Sequence, residues 1–349
     1  MRSRRGEAAP SVGRQRPPAG LARVGARARA LAGLRLMLSR TAGDLFWTGR
    51  YVERADFISR LVDATLRLAA LPSSYGGAVG AWTSALAAAG IEPLYTERHA
   101  ELTERSATAF LALDPDNPSS MRCCIERARH NARAVRTALT SEVWEAINTA
   151  WLEIQRFGTT LESRAALTRL VDHVKSSALL FDGATHRTML REKSYWFLRL
   201  GAALERADNT ARLLDVKYHL LLPRDEPVGG SLDYFQWTTI LRTVSALTAY
   251  RHVYLDSIKP WLVADLLILN RRMPRSLSAC ASDLVRYLDN LARSTGKRGP
   301  AHRQAVALSA RLAQGDMTAI FASGLHEFIG EFIAENNAVG FAIQEQYLF

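Results

Sequence analysis

Glu53-Arg-Ala-Asp-Phe-Ile-Ser-Arg-Leu-Val-Asp63 and Glu205-Arg-Ala-Asp-Asn-Thr-Ala-Arg-Leu-Leu-Asp215 align without a gap, 152 residues apart. Gly49 and Gly201 keep the same register one turn earlier. Within each copy Gly, Glu, Asp and Arg fall at i, i+4, i+7 and i+11, a spacing that gathers side chains on one helical face. The stretch is therefore helical, and it occurs twice. Glycine one turn before the Glu leaves room for another helix to approach. The stripe of Gly201, Glu205, Asp208 and Arg212 is thus expected to face a partner helix. A weaker third copy is Glu126-Arg-Ala-Arg-His-Asn-Ala-Arg133.

Outward from these copies the same period continues. Spacings of 3.6 recur along the chain, and sustained alternation of period two does not. Arg outnumbers Lys by 40 to 5, and with abundant Ala and Leu this supplies good helix formers. The pattern predicts helices over Thr41–Leu71, Ala81–Ala89, Glu97–Ala112, Ser120–Leu139, from Ser141 as cap, Leu161–Leu180 broken by Gly183, and Thr188–Leu222. After the loop 224–230 it predicts Tyr234–Tyr254, Trp261–Asn270, Arg275–Arg293, Arg303–Gln314 and Met317–Gln344. Long helices with short connections make an all-α fold, a single multi-helix bundle with an internal helical repeat.

The chain has 349 residues, 48% hydrophobic and 23% charged, which is the profile of a globular protein with a large core. No apolar run is long enough for a membrane span, and three Cys cannot frame a disulfide scaffold. A cytoplasmic location with reduced thiols is expected. The net charge of +11 is mostly a tail effect, because residues 1–36 hold nine Arg and one Glu. This Arg-rich tail reads as disordered. Three readings of it compete: a basic arm for nucleic acid or acidic lipid, a transit-like segment, or an over-extended translation start ahead of Met37. The remaining 313 residues carry only +3, which argues against nucleic acid as a partner.

The candidate polar site consists of Glu53, Arg54, Asp56, Arg60, Glu126, Arg133, Glu205, Arg206, Asp208 and Arg212. It has two readings. One is a salt-bridge lattice, with Asp208 four residues before Arg212 and Glu on one helix pairing with Arg on another. The other is a polar pocket with Glu53 and Glu205 as acid/base groups and Arg60 and Arg212 as anion clamps. The lattice is favoured because each acid has a base within helical reach. Trp237, Arg275 and Ser276 are candidates for partner or peptide binding, Arg275 because it opens a helix where free N–H groups add positive potential. Trp144, Trp196, Trp237 and Trp261 otherwise read as core. Phosphate loops, nucleophile elbows, zincin and di-iron motifs are all missing, so no cofactor and no metal are assigned. Cys123-Cys124 reads as a packed helix position.

Further stretches complete the pattern: Met37-Leu-Ser-Arg-Thr-Ala, Trp47-Thr-Gly-Arg-Tyr-Val-Glu-Arg-Ala, Asp116-Asn-Pro-Ser-Ser120, Ala128-Arg-His-Asn-Ala-Arg133, Ser141-Glu-Val-Trp144, Gln236-Trp237 and Pro274-Arg-Ser-Leu277. From Met37 onward the chain resembles the bacterial alpha-E domain family, an all-helical family of unknown function named for its Glu-Arg motif. Relatives usually begin at the equivalent of Met37, and residues 37–349 are expected to be the domain. The family is typically encoded beside ATP-grasp and transglutaminase-like proteins. The resemblance implies a helical partner subunit of a peptide ligation or modification system, with no catalytic residue to carry over. The alternative is an enzyme using a Glu/Arg-lined central pocket in peptide or amide chemistry. The second copy has Ala202 opposite Arg50, so the two copies are not chemically equivalent.

Overall fold

The computed structural model describes residues 19–70, 77–158, 160–219, 230–296 and 298–349. Among them the secondary structure is helical, with no strand. The chain falls into two successive sets of helices. The first runs α1 (Ala19–Ala69), α2 (Gly77–Ala88), α3 (Glu92–Thr96), α4 (Glu104–Ala112), α5 (Met121–Ala134), α6 (Ser141–Gln155) and α7 (Arg164–Thr188). The second runs α8 (Lys193–His219), α9 (Ser231–Thr243), α10 (Leu247–Tyr254), α11 (Pro260–Ile268), α12 (Leu277–Thr295), α13 (Pro300–Ala313), α14 (Met317–Ser323) and α15 (Leu325–Tyr347).

The two sets pack by the same plan. In the first, α1 lies on α5 and α7, and α6 bridges those two. In the second, α8 lies on α12 and α15, and α13 bridges those. The four-helix unit thus occurs twice, and the two units join where α1 packs along α8. One continuous apolar core runs through both.

The duplication extends well beyond the Glu-Arg stretch. Trp82 on α2 and Trp237 on α9 are both buried. Each of those helices ends in a left-handed residue, Gly90 (φ +68°) and Ser245 (φ +56°). In both, the next amide closes the turn five residues back, Ile91 N–H to Leu86 and Ala246 N–H to Leu241. The turns before α5 and α12 match bond for bond. Ser120 Oγ donates to the Asp114 carbonyl as Ser276 Oγ donates to that of Asn270. The Asp116 N–H reaches Asp114 Oδ1 as the Arg272 N–H reaches Asn270 Oδ1. Both serines then cap their helices by accepting from the third amide on, Cys123 and Ala279.

Several boundaries differ from the sequence expectation. Residues 1–18 of the expected tail lie outside the described residues, and 19–36 fall within the range of α1. Thr140, not Ser141, caps α6. The expected helix Glu97–Ala112 begins only at Glu104, after the extended Thr103 cap, with residues 97–103 non-helical, and Gly324 separates α14 from α15. Gly183 does not break α7, which runs on to Thr188. A Cβ added at Gly183 would meet nothing within 4 Å. Gly183→Ala is therefore expected to raise stability by about 0.5–1 kcal/mol through backbone entropy, measured as a higher urea midpoint at unchanged m-value.

Candidate functional site: two reciprocal Glu-Arg centres

The two Glu-Arg helices meet at their glycines. A Cβ on Gly49 would stand 2.1 Å from the Leu198 carbonyl oxygen, and one on Gly201 would stand 1.9 Å from that of Phe46. These contacts exchange under the 152-residue offset, as a pseudo-twofold relation requires. Side-chain pairs across the junction are 151 to 155 residues apart throughout, so α1 and α8 run in the same direction.

One turn beyond the glycines each Glu takes the Arg of the other copy. Glu53 accepts from Arg206 Nε at 3.0 Å and Nη2 at 2.6 Å. Glu205 accepts from Arg54 Nε at 2.5 Å and Nη2 at 3.0 Å. Both are forked pairs, the strong geometry for guanidinium and carboxylate. The asymmetric partners differ. Glu53 also receives Arg275 Nη1 at 2.7 Å, from the turn before α12. Glu205 receives Arg50 Nε at 2.7 Å, from α1 itself. Asp56 pairs with Arg60, and Asp208 with Arg212, at i,i+4 on their own helices.

Both glutamates are buried, Glu205 to 1% exposure and Glu53 to 7%. Burial alone would raise their pKa values. The Arg206 and then the Arg275 guanidinium outweigh it at Glu53 and hold that carboxyl at about 2. Arg54 and then Arg50 do the same at Glu205, pushing it below the usual range. Each is thus an ionised acceptor with its oxygens occupied, poorly suited to proton transfer near neutral pH. The folded values lie below the unfolded ones, near 4.3. The stabilisation is therefore fully present above about pH 5 and lost as pH falls towards 2. The urea midpoint is expected to drop steeply between pH 5 and pH 3, and Glu53→Gln should flatten that drop.

Of the expected site residues, eight come together here: Glu53, Arg54, Asp56, Arg60, Glu205, Arg206, Asp208 and Arg212. Glu126 and Arg133 do not, for both are exposed on α5. The structural counterpart of α5 is α12, so the third Glu-Arg copy is not a third equivalent helix. Trp237, Arg275 and Ser276 form no exposed binding patch. Trp237 is core, Ser276 is a buried cap, and Arg275 belongs to the Glu53 centre. Trp261 is half exposed, beside Lys259, and is not a core residue. Sequence reasoning missed Arg50 as a partner of Glu205, although the Arg50/Ala202 mismatch between the copies marked it. Burial pushes the Cys124 and Cys280 thiols, one beside each centre, up to about 12, so neither is a ready nucleophile. Among the described residues no group of three His, Cys, Asp or Glu could hold a metal, and no helix is long and apolar enough to cross a membrane.

A family model described as a predicted alpha-helical domain with a conserved ER motif matches residues 37–348. The chain belongs to the Alpha-E family. Two Glu-Arg dipeptides of this Alpha-E domain, Glu53-Arg54 and Glu205-Arg206, bind each other. Uncharacterised proteins of Mycobacterium bovis and of Mycobacterium tuberculosis are 23% identical over 318 residues, covering 84% of this chain and 35% of theirs. The chain thus spans about a third of the length of these curated relatives. No solved structure matches it.

Proposed function

We propose that this Alpha-E domain is a non-catalytic helical partner that works with an ATP-grasp-type or transglutaminase-like protein in peptide ligation or modification. The observation that carries the non-catalytic part is the saturation of both ER carboxylates. Each accepts from two guanidinia and is held ionised, which supports a structural role over the acid/base role that the enzyme reading needs. The partner class follows from the family resemblance. The relatives' greater length, with this region covering 35% of them, fits a module used together with other protein parts.

The test is co-expression of the full chain with each ATP-grasp-type and transglutaminase-like protein encoded in the same genome. A stoichiometric complex, with the partner's ligation or amide-forming activity raised by the chain, is the expected result. Association with neither class, or amide chemistry by the isolated chain, would overturn the reading.

A further inference from the structure

The two ER centres differ at one position of the turn that flanks each of them. In the Glu53 centre Arg275 bridges two carboxylates, with Nη1 on Glu53 Oε1 and Nη2 on Asp56 Oδ2, both at 2.7 Å. Arg275 sits between Pro274 and the capping Ser276. The matching turn is Pro118-Ser119-Ser120, with the same side-chain and backbone bonds. Ser119 therefore stands where the other half has Arg275.

Beside this shorter side chain lies a cavity of about 210 Å³, room for several water molecules. Ser119, Glu205 and Asp208 line it together with Arg50, Arg54 and Arg212. Asp56, in the Glu53 centre, has donors on both carboxylate oxygens. Asp208 has Arg212 Nε on Oδ2, while its Oδ1 is buried without a partner. Asn209 Nδ2, on the same wall, is also buried without an acceptor. Orphaned buried acceptors and donors are costly, and ligand groups satisfy them.

The charge count decides what kind of ligand enters. Arg50, whose counterpart is Ala202, has already brought an extra guanidinium to Glu205. Three arginines then face two carboxylates, a surplus of one positive charge before anything binds. A simple cation would meet that surplus. A simple anion would leave Asp208 Oδ1 unpaired and place a second negative charge near it. A molecule carrying both charges satisfies each wall. Among the described residues the Nη groups of Arg50 and Arg212 have no hydrogen-bond acceptor, and they suit a carboxylate. Gly90, with φ +68°, keeps the wall beside Arg212 open, since a Cβ there would lie 3.0 Å from Arg212 Nη1.

We infer that the cavity beside Glu205 binds a small zwitterion with α-amino acid chemistry, its ammonium on Asp208 and its carboxylate on Arg50 and Arg212. This site is independent of the proposed partnership and does not make the protein an enzyme.

The full chain is screened by thermal shift against the twenty proteinogenic L-amino acids, and any stabilising one is measured by titration calorimetry. Its amine-only and carboxylate-only analogues run alongside. At least one amino acid is expected to bind with Kd below about 1 mM, and both analogues at least tenfold more weakly. Ser119→Arg copies Arg275 and should abolish binding while the protein stays folded. Asp208→Asn nearly keeps the shape and removes the negative charge that holds the ammonium, so a tenfold loss is expected there too. Binding by no amino acid at millimolar concentration, equal binding by the carboxylate-only analogue, or full binding retained in either folded variant would overturn the inference.

Discussion

Gly201→Ala is expected to destabilise the protein by about 3 kcal/mol or more. Helix propensity alone favours alanine by about 0.8–1 kcal/mol, so a net loss measures the clash. The added methyl would stand 1.9 Å from the Phe46 carbonyl oxygen and 2.8 Å from its carbon, both backbone atoms of α1. Side-chain rotation cannot relieve that contact, and α1 and α8 must part. Overpacking a tight junction usually costs about 1–3 kcal/mol, and here the parting also stretches the ion pairs one turn along. Gly49→Ala should behave alike, since its Cβ would lie 2.1 Å from the Leu198 carbonyl oxygen. Equilibrium urea unfolding of both variants checks this, with Gly183→Ala, at an open helical site, as the control of opposite sign.

Glu205→Gln is expected to be nearly as damaging, at about 3–5 kcal/mol, the range for removing one partner of a buried ion pair. The amide nearly matches the carboxylate in shape, so packing is kept. What is lost is the charge that balances Arg50 and Arg54, which are only 14% and 22% exposed. One neutral oxygen cannot serve three guanidinium N–H groups, and the Gln N–H₂ points a donor at them. Arg54→Lys should also weaken the centre, because an ammonium cannot make the fork to both oxygens. Circular dichroism at pH 7 with urea titration measures both.

The fold was legible where periodicity and punctuation agree. The Gly-x3-Glu-Arg-x-Asp-x3-Arg stripe fixes a helix, a face and a close approach, and the structure puts all three where the spacing indicates. The duplication of the other helices was not legible, because little besides isolated residues survives between the halves. Trp82 and Trp237, Pro118 and Pro274, Ser120 and Ser276, and Cys124 and Cys280 correspond in the structure, yet each pair alone is weak in sequence. Loop insertions also move the offset away from 152, so a fixed-offset comparison loses them. Arg275 was misread for a related reason. A helix start with Pro-Arg-Ser looks like an exposed anion site, and only the tertiary fold shows it inserted between Glu53 and Asp56. The exposed Glu126-Arg127 shows the converse, that a Glu-Arg dipeptide without the preceding glycine need not face a partner helix.

Glu53-Arg54 and Glu205-Arg206 form a reciprocal brace between the two halves. A double-mutant cycle on Glu205 and Arg54 tests it most directly, with Glu205→Gln, Arg54→Met and the double variant unfolded in urea at pH 7. The two side chains are 151 residues apart in sequence and 2.5 Å apart in space. Costly single variants are expected, with a double variant destabilised well short of their sum, a coupling of about 1.5–3 kcal/mol. Additive variants, with coupling within about 0.5 kcal/mol of zero, would contradict it.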